Sequence, residues 1–195
     1  MQFYPRKAVV PAGLKTPEFV LRPLRVTDNE LDYDAVMSSR KMLRVWGQSD
    51  WPEDHFTLDD NLHDLKRHER EHIDRKVFTY TIMNPSESVC LGCVYIRPLR
   101  LVLEYFHVDD HEVSTFGDYA ACVSFWVRKS HQDELEKRLL DALIEWFRQE
   151  WRFSRVVFKS NSLDRRQLHL FREAGLRRLY VTDIPDKEGQ YLIYG

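Results

Sequence analysis

The chain has 195 residues, 43% of them apolar, with 5 Trp, 9 Tyr and 11 Phe; that is enough to fill one core and excludes a disordered chain. With 29 basic against 31 acidic residues and a net charge of -2, nothing draws the whole chain to nucleic acid or to an anionic membrane. The seven glycines are about half the usual roughly 7%, and no two stand closer than six positions, which excludes a G-x-G-x-x-G dinucleotide fingerprint and a G-x-x-x-x-G-K-[ST] phosphate loop.

Met1-Gln2-Phe3-Tyr4-Pro5-Arg6-Lys7 is too polar for a secretory h-region, and no run approaches a membrane-spanning length, so a cytoplasmic location is expected. Residues 1–17 read as an N-terminal extension. Phe19 to Leu24 reads as a first strand, and Asn29 to about Leu43 as a helix carrying Leu31, Ala35, Val36, Met42 and Leu43 toward a core. A loop follows, then Thr57 offers a capping signal to Asp60 for a second, heavily charged helix over about 58 to 74. Val77 to Ile82 and Val89 to Ile96 flank the turn Asn84-Pro85-Ser86 and should form an antiparallel hairpin. Within 97–118, read as a loop insertion, Leu101 to Val108 is a candidate short strand and Asp109 to Asp118 a polar loop.

Tyr119 to Val127 is apolar on both faces, as a central, doubly covered strand requires. Ser130, three residues before Asp133, is a second capping signal, and the helix it opens puts Leu135, Leu139, Ala142, Leu143, Trp146 and Phe147 on one stripe. Arg155 to Lys159 reads as a strand, Ser162 to Ala174 as a helix stopped by Gly175, and Leu176 to Ile184 with Gln190 to Tyr194 as a terminal hairpin. A helix between the central strand and Arg155 to Lys159 implies a parallel pair with a right-handed crossover. The expected fold is a single α/β domain over residues 1–195, with a mixed central sheet of about six to seven strands flanked by helices.

This succession, together with Val123-Ser124-Phe125-Trp126-Val127-Arg128, the amphipathic helix after it, Asn161, and Leu170-Phe171-Arg172-Glu173-Ala174-Gly175-Leu176, resembles the GNAT acyltransferase superfamily over roughly residues 19 to 194. The resemblance implies a GNAT-type fold in which acyl-CoA lies between the central strand and the next parallel strand. The backbone of Phe125, Trp126 and Val127 would then face the acyl arm, and residues 128 to 134, with Arg128, Lys129 and Gln132, the pyrophosphate at a helix N-terminus; Asn161 joins this cofactor set. Gln132 matches the first position of the family's Q/R-x-x-G-x-G/A motif, while Leu135 and Lys137 occupy its glycine positions. The family's common strand carboxylate is absent between Asp118 and Asp133, and its tyrosine position falls at Phe171. Tyr119 and Ser124 remain as the polar candidates for catalysis on the strand, against the reading that both are structural hydroxyls.

Three further segments carry two readings each. Trp46-Gly47-Gln48-Ser49-Asp50-Trp51-Pro52-Glu53-Asp54 resembles the variable acceptor-binding loops of GNAT proteins, where Trp46 and Trp51 could receive an amine; packing over the core is the other reading. His68-Glu69-Arg70-Glu71-His72 spells the zinc-peptidase H-E-x-x-H, yet the surrounding charges suit a solvated helix face, so no metal is expected. Cys90-Leu91-Gly92-Cys93 lies in a strand, where positions i and i+3 point to opposite faces, and reads as buried small residues rather than a metal or redox pair. With Cys122 these cysteines cannot all pair internally and fit a reducing compartment.

The leading expectation is acyl-CoA-dependent transfer, from acetyl-CoA or another acyl-CoA, to a small-molecule or peptide amine, with no nucleic-acid or membrane partner. A GNAT-fold binding module without catalysis is the alternative of another class, and zinc hydrolysis through His68 and His72 the third.

Overall fold

The computed structural model describes residues 3–195. Its strands are β1 (Leu14–Lys15), β2 (Val20–Pro23), β3 (Phe78–Met83), β4 (Cys90–Pro98), β5 (Tyr119–Val127), β6 (Arg155–Asn161), β7 (Arg178–Thr182) and β8 (Tyr191–Tyr194). They make one mixed sheet in the order β1-β2-β3-β4-β5-β6-β8-β7. Only β5 and β6 run parallel, joined by a helical crossover as expected; the other neighbours are antiparallel. The extra strand comes from the amino-terminal stretch, where Leu14 and Lys15 pair with Leu21 and Val20. Tyr4 is fully buried in the core, and its hydroxyl accepts a hydrogen bond from Arg152 N at 3.1 Å.

The helices are α1 (Asn29–Ser38), α2 (Arg40–Gly47), α3 (Leu58–Ile73), α4 (Leu99–Tyr105), α5 (Asp110–Ser114), α6 (Gln132–Gln149) and α7 (Arg165–Glu173). Along β5, Ala121, Val123, Phe125 and Val127 pack with the α6 stripe of Leu135, Leu139 and Leu143. On the opposite face Trp126 joins Ala35, Val36 and Leu43 of α1 and α2, and Cys122 joins Leu99, Val102 and Phe106. Both faces are covered, which is why β5 shows no alternation.

Four local expectations change. The helix read over 29 to 43 is two helices broken at Ser39, whose hydroxyl accepts from Lys129 N at 3.0 Å instead of leaving the helix path clear. Residues 101 to 105 belong to helix α4 and 106 to 108 to the turn after it, not to a strand: Leu99, Val102, Leu103 and Phe106 recur at helical spacing and bury together. The polar loop read after them holds α5. Ser130 does not cap α6, because its hydroxyl turns to His131 Nδ1 at 2.9 Å within a 3-10 turn, Lys129–His131.

The Thr57 to Asp60 capping box is present as expected. No helix among the described residues is long and apolar enough to cross a membrane.

Candidate active site at the split between β5 and β6

Pairing of β5 with β6 ends at Val123 and Phe158. Beyond that point Ser124 to Val127 pair, among the strands, only with β4, and Lys159 to Asn161 only with β8. The two central strands therefore part toward their carboxyl ends, the crevice position favoured for ligands in open α/β sheets.

On the α6–α7 side of the split, Gln167 is 1% exposed. Its Nε2 donates to the Phe125 carbonyl at 3.1 Å and to Glu136 Oε1 at 3.2 Å. Gln167 Oε1 and Ser160 Oγ are buried and have no hydrogen-bond partner. Ser160 shares the face of Phe158, so both orphans lie on one side of the parting strands. Each unsatisfied buried polar atom costs about 1–3 kcal/mol, and a ligand carrying amide or hydroxyl groups would supply what they lack.

A groove of about 760 Å³ runs from the α1–α2 junction to the starts of α6 and α7. Arg40, Lys41, Lys129, Arg165 and Arg166 face it, against Asp164 alone among acids. Arg166 bonds the buried Glu136 carboxylate at 2.7 Å, the Asp133 carboxylate and the Gln132 carbonyl. It thereby offsets Asp133 at the start of α6 and the buried Glu136, while Glu134 of the same first turn is in no ion pair among the described residues. Burial pushes the Glu136 carboxyl upward and Arg166 opposes that. Lys129 Nζ rests on Gln132 Oε1 at 3.2 Å, so these two expected residues do meet at the groove.

The remaining expected residues scatter. Arg128 pairs with Asp34 of α1 at 2.7 Å and turns from the groove. Asn161 is consumed structurally: its Nδ2 donates to the Val45 and Trp46 carbonyls, and its Oδ1 accepts from Leu163 N and Asp164 N. Trp126 is core, its indole donating to the Tyr95 hydroxyl at 3.3 Å. Ser124 lies at the mouth of the split on the face away from α6, near Tyr95 and Trp46. Tyr119 opens β5 and carries the Arg155 guanidinium 4.2 Å over its ring, roughly 26 Å from Val127 at about 3.3 Å per residue. Trp51 packs edge-on to Phe56 outside the split.

Sequence reading missed Gln167, Ser160 and Lys159, whereas Arg165 and Arg166 belong to the basic stretch Arg165, Arg166, Arg172, Arg177 and Arg178 that the sequence offers to a ribose phosphate or nucleic acid, or else to solvent. Gln167 had one usable signal: it stands one helical turn before Phe171, a polar residue on an otherwise apolar stripe.

The two other motifs resolve as structure. His72 Nδ1 donates to the Thr79 carbonyl at 3.1 Å, and His68 Nδ1 shares a hydrogen bond with Thr79 Oγ1 at 3.2 Å. Both rings pin α3 to β3, and Arg67 Nη2 lies 3.4 Å from His68 Nε2, placing a cation where a metal would stand. Burial pushes the His68 imidazole down to about 3. Among the described residues no group of His, Cys, Asp and Glu is arranged to hold a metal ion.

Cys90 and Cys93 point to the same face, contrary to the simple alternation. Leu91 is an extra residue between the pairs Met83–Cys90 and Ile82–Gly92, a bulge that shifts the pleat. Gly92 there has φ 142°, and a Cβ would run into the Trp126 carbonyl. Asp32 accepts from Cys93 Sγ at 3.5 Å and from Asn61 Nδ2 at 3.0 Å, and its burial pushes the carboxyl up to about 6.

No family model matches the sequence, and no curated protein is significantly similar to it. Solved structures are similar in shape over nearly the whole chain. The microcin C7 self-immunity acetyltransferase MccE, solved with acetyl-CoA and AMP, has a TM-score of 0.71 at 16% identity, covering 96% of this chain and 97% of its own. RimL, the ribosomal L7/L12 α-N-protein acetyltransferase solved with coenzyme A, reaches 0.68 at 14% identity, covering 95% of each chain. A Bordetella pertussis protein placed in the GnaT acetyltransferase family reaches 0.65 at 16% identity, covering 94% of this chain and 98% of its own. The chain has the GNAT fold. At these identities the likeness carries architecture and not chemistry. Within the GNAT fold, the two positions where the resemblance expects glycines hold Leu135, buried against β5, and Lys137, exposed on α6.

Proposed function

We propose that this GNAT-fold protein is an acyl-CoA-dependent N-acetyltransferase acting on a small-molecule or peptide amine. The observation that carries the reading is the split itself, with two unpartnered buried polar atoms, Gln167 Oε1 and Ser160 Oγ, and a basic groove at the starts of α6 and α7. Lys129, Arg165, Arg40 and Lys41 supply positive charge for a pyrophosphate at the α6 N-terminus, where the helix dipole adds to it. The groove needs no glycines for this, because its cations come from side chains.

In acetyl transfer the amine loses a proton and attacks the thioester carbonyl, the C–S bond breaks, and the thiolate takes a proton. Ser124 is the hydroxyl of β5 nearest the split and serves as the first relay for the amine proton to water. Phe171 cannot return a proton to the thiolate, so solvent in the groove does so. The acceptor class is supported on both sides by the neighbours: RimL acts on a protein α-amine, and MccE was solved with AMP. The buried, free thiols of Cys90, Cys93 and Cys122 suit the reducing cytoplasm.

Calorimetric titration with acetyl-CoA tests the reading. Binding in the micromolar to millimolar range usual for enzyme substrates, weakened at least tenfold by Lys129→Glu with Arg165→Glu, is the expected result. Absence of binding at millimolar acetyl-CoA overturns it. Phe171 favours a second reading, a binding module that holds acyl-CoA without transferring the acyl group; tight binding with no turnover of any amine would select it.

A further inference from the structure

Lys159 is the first residue of β6 beyond the last β5 pair, and alternation puts its side chain on the face shared with Ser124, opposite Phe158 and α6. Its ammonium lies 5.9 Å from the Phe106 ring centroid and 5.5 Å from that of Tyr191, the two rings themselves 5.0 Å apart. On the same face Arg97 of β4 sits 5.8 Å from the Tyr95 ring. Among the described residues neither cation is ion-paired; both rest on aromatic faces, which supply part of the compensation a carboxylate would give. This face of the split carries Lys159, Tyr95, Tyr191 and Ser124, with Arg97 just behind it, opposite Cys122 where β5 and β6 still pair, and no acid from β5.

We propose that Lys159, backed by Arg97, is an anion receptor on the acceptor side of the split, so that the accepted amine carries a carboxylate or phosphate beside the reacting nitrogen. The inference rests on the transferase reading above. A plain ammonium entering between two cations is repelled, whereas an amine that brings its own anion is held by it. The same positive charge lowers the pKa of the bound ammonium, so the nucleophile is released without the strand carboxylate that this chain lacks. Lys159 itself is pushed below the usual lysine range, chiefly by burial, with the nearby Arg97 adding to it. A cation so poorly solvated gains most from an incoming anion.

The test uses matched amines, glycine against glycinamide and O-phosphoethanolamine against ethanolamine, titrated calorimetrically into the protein with and without acetyl-CoA. The anionic member of at least one pair should bind at least tenfold more tightly, and which pair shows it separates carboxylate from phosphate recognition. Lys159→Met should abolish the preference, Lys159→Arg should restore most of it, and Arg97→Gln, at an exposed position, should weaken it severalfold in a protein that folds normally. Equal affinity within both pairs, no binding of either anionic amine, or a preference that survives Lys159→Met overturns the proposal. Acetyl-CoA is titrated separately: binding of acetyl-CoA with no anionic preference sinks this inference alone, whereas an anionic preference without acetyl-CoA binding sinks the transferase reading and, with it, the acceptor role of Lys159.

Discussion

The side-chain amide of Gln167 donates to the main-chain carbonyl of Phe125 across 3.1 Å, two residues past the last β5–β6 pair. A helix side chain thus takes the hydrogen-bonding edge that a neighbouring strand would have used. Its other end, Oε1, is left buried and unpartnered, and this ties the stability of the split to whatever fills it.

Replacing Gln167 by Leu removes the bonds to Phe125 and Glu136 while keeping most of the volume. The expected cost is about 1–3 kcal/mol in urea denaturation, because the Phe125 carbonyl is left dry. Acetyl-CoA affinity should fall at least fivefold in the same variant. An unchanged affinity would show that the amide does not meet the ligand.

Arg166 is 36% exposed while its partner Glu136 is 1% exposed. Removing the arginine leaves a buried carboxylate supported by Gln167 alone, and Arg166→Met should cost about 2 kcal/mol, below the 3–5 of a fully buried pair because solvent reaches the guanidinium. Adding Glu136→Met should recover most of that loss. A double-mutant cycle by chemical denaturation measures the coupling.

Two buried groups give opposite pH dependences. Asp32 titrates near 6 in the fold against an ordinary 3.8; the folded state holds the proton more tightly, so its contribution is full below about 3.8 and is lost as pH rises through about 6. Relative to wild type, Asp32→Asn should gain roughly 3 kcal/mol between pH 4 and pH 8. His68 is held near 3 against 6.5, so its contribution is present above 6.5 and declines as pH falls toward 3. His68→Gln should flatten that acid limb in denaturation curves taken at successive pH values.

The H-E-x-x-H segment makes a separate prediction. Since His68 and His72 are bonded to Thr79, elemental analysis of the purified protein should find no stoichiometric zinc, and Glu69→Gln should leave any transferase activity within twofold. Stoichiometric zinc lost on His68→Ala would reverse this reading.

Placing glycine at Leu135, as the resembled motif has it, should harm the protein. Leu135 is buried against the β5 face, so Leu135→Gly is expected to cost at least the 2–5 kcal/mol or so of a Leu→Ala cavity. Thermal unfolding should show it, with no gain in acetyl-CoA affinity.

Much of the architecture was legible. Two-sided apolar β5, the α6 stripe, the Thr57 capping box and the hairpins each announce themselves through local periodicity or turn chemistry. The reading of 101 to 108 as strand failed because a short apolar run does not distinguish strand from helix until its tertiary partners are known. Cys90 and Cys93 were placed on opposite faces because alternation assumes an unbroken pleat, and the Leu91 bulge breaks it. The site was less legible still: of the residues expected to hold cofactor, Lys129 and Gln132 line the groove, whereas Asn161 and Arg128 are spent on structural bonds to α2 and α1.

By itself the sequence determined that a mixed α/β sheet forms, that its central strand is covered on both sides, and that no glycine-rich phosphate loop is available, since these follow from side-chain period and composition. Only the tertiary structure decided that Gln167 and Ser160 on one face of the sheet, and Lys159 on the other, flank the point where β5 leaves β6. Their placement follows from the point at which two strands stop pairing, and that point depends on long-range hydrogen bonding that no local pattern encodes.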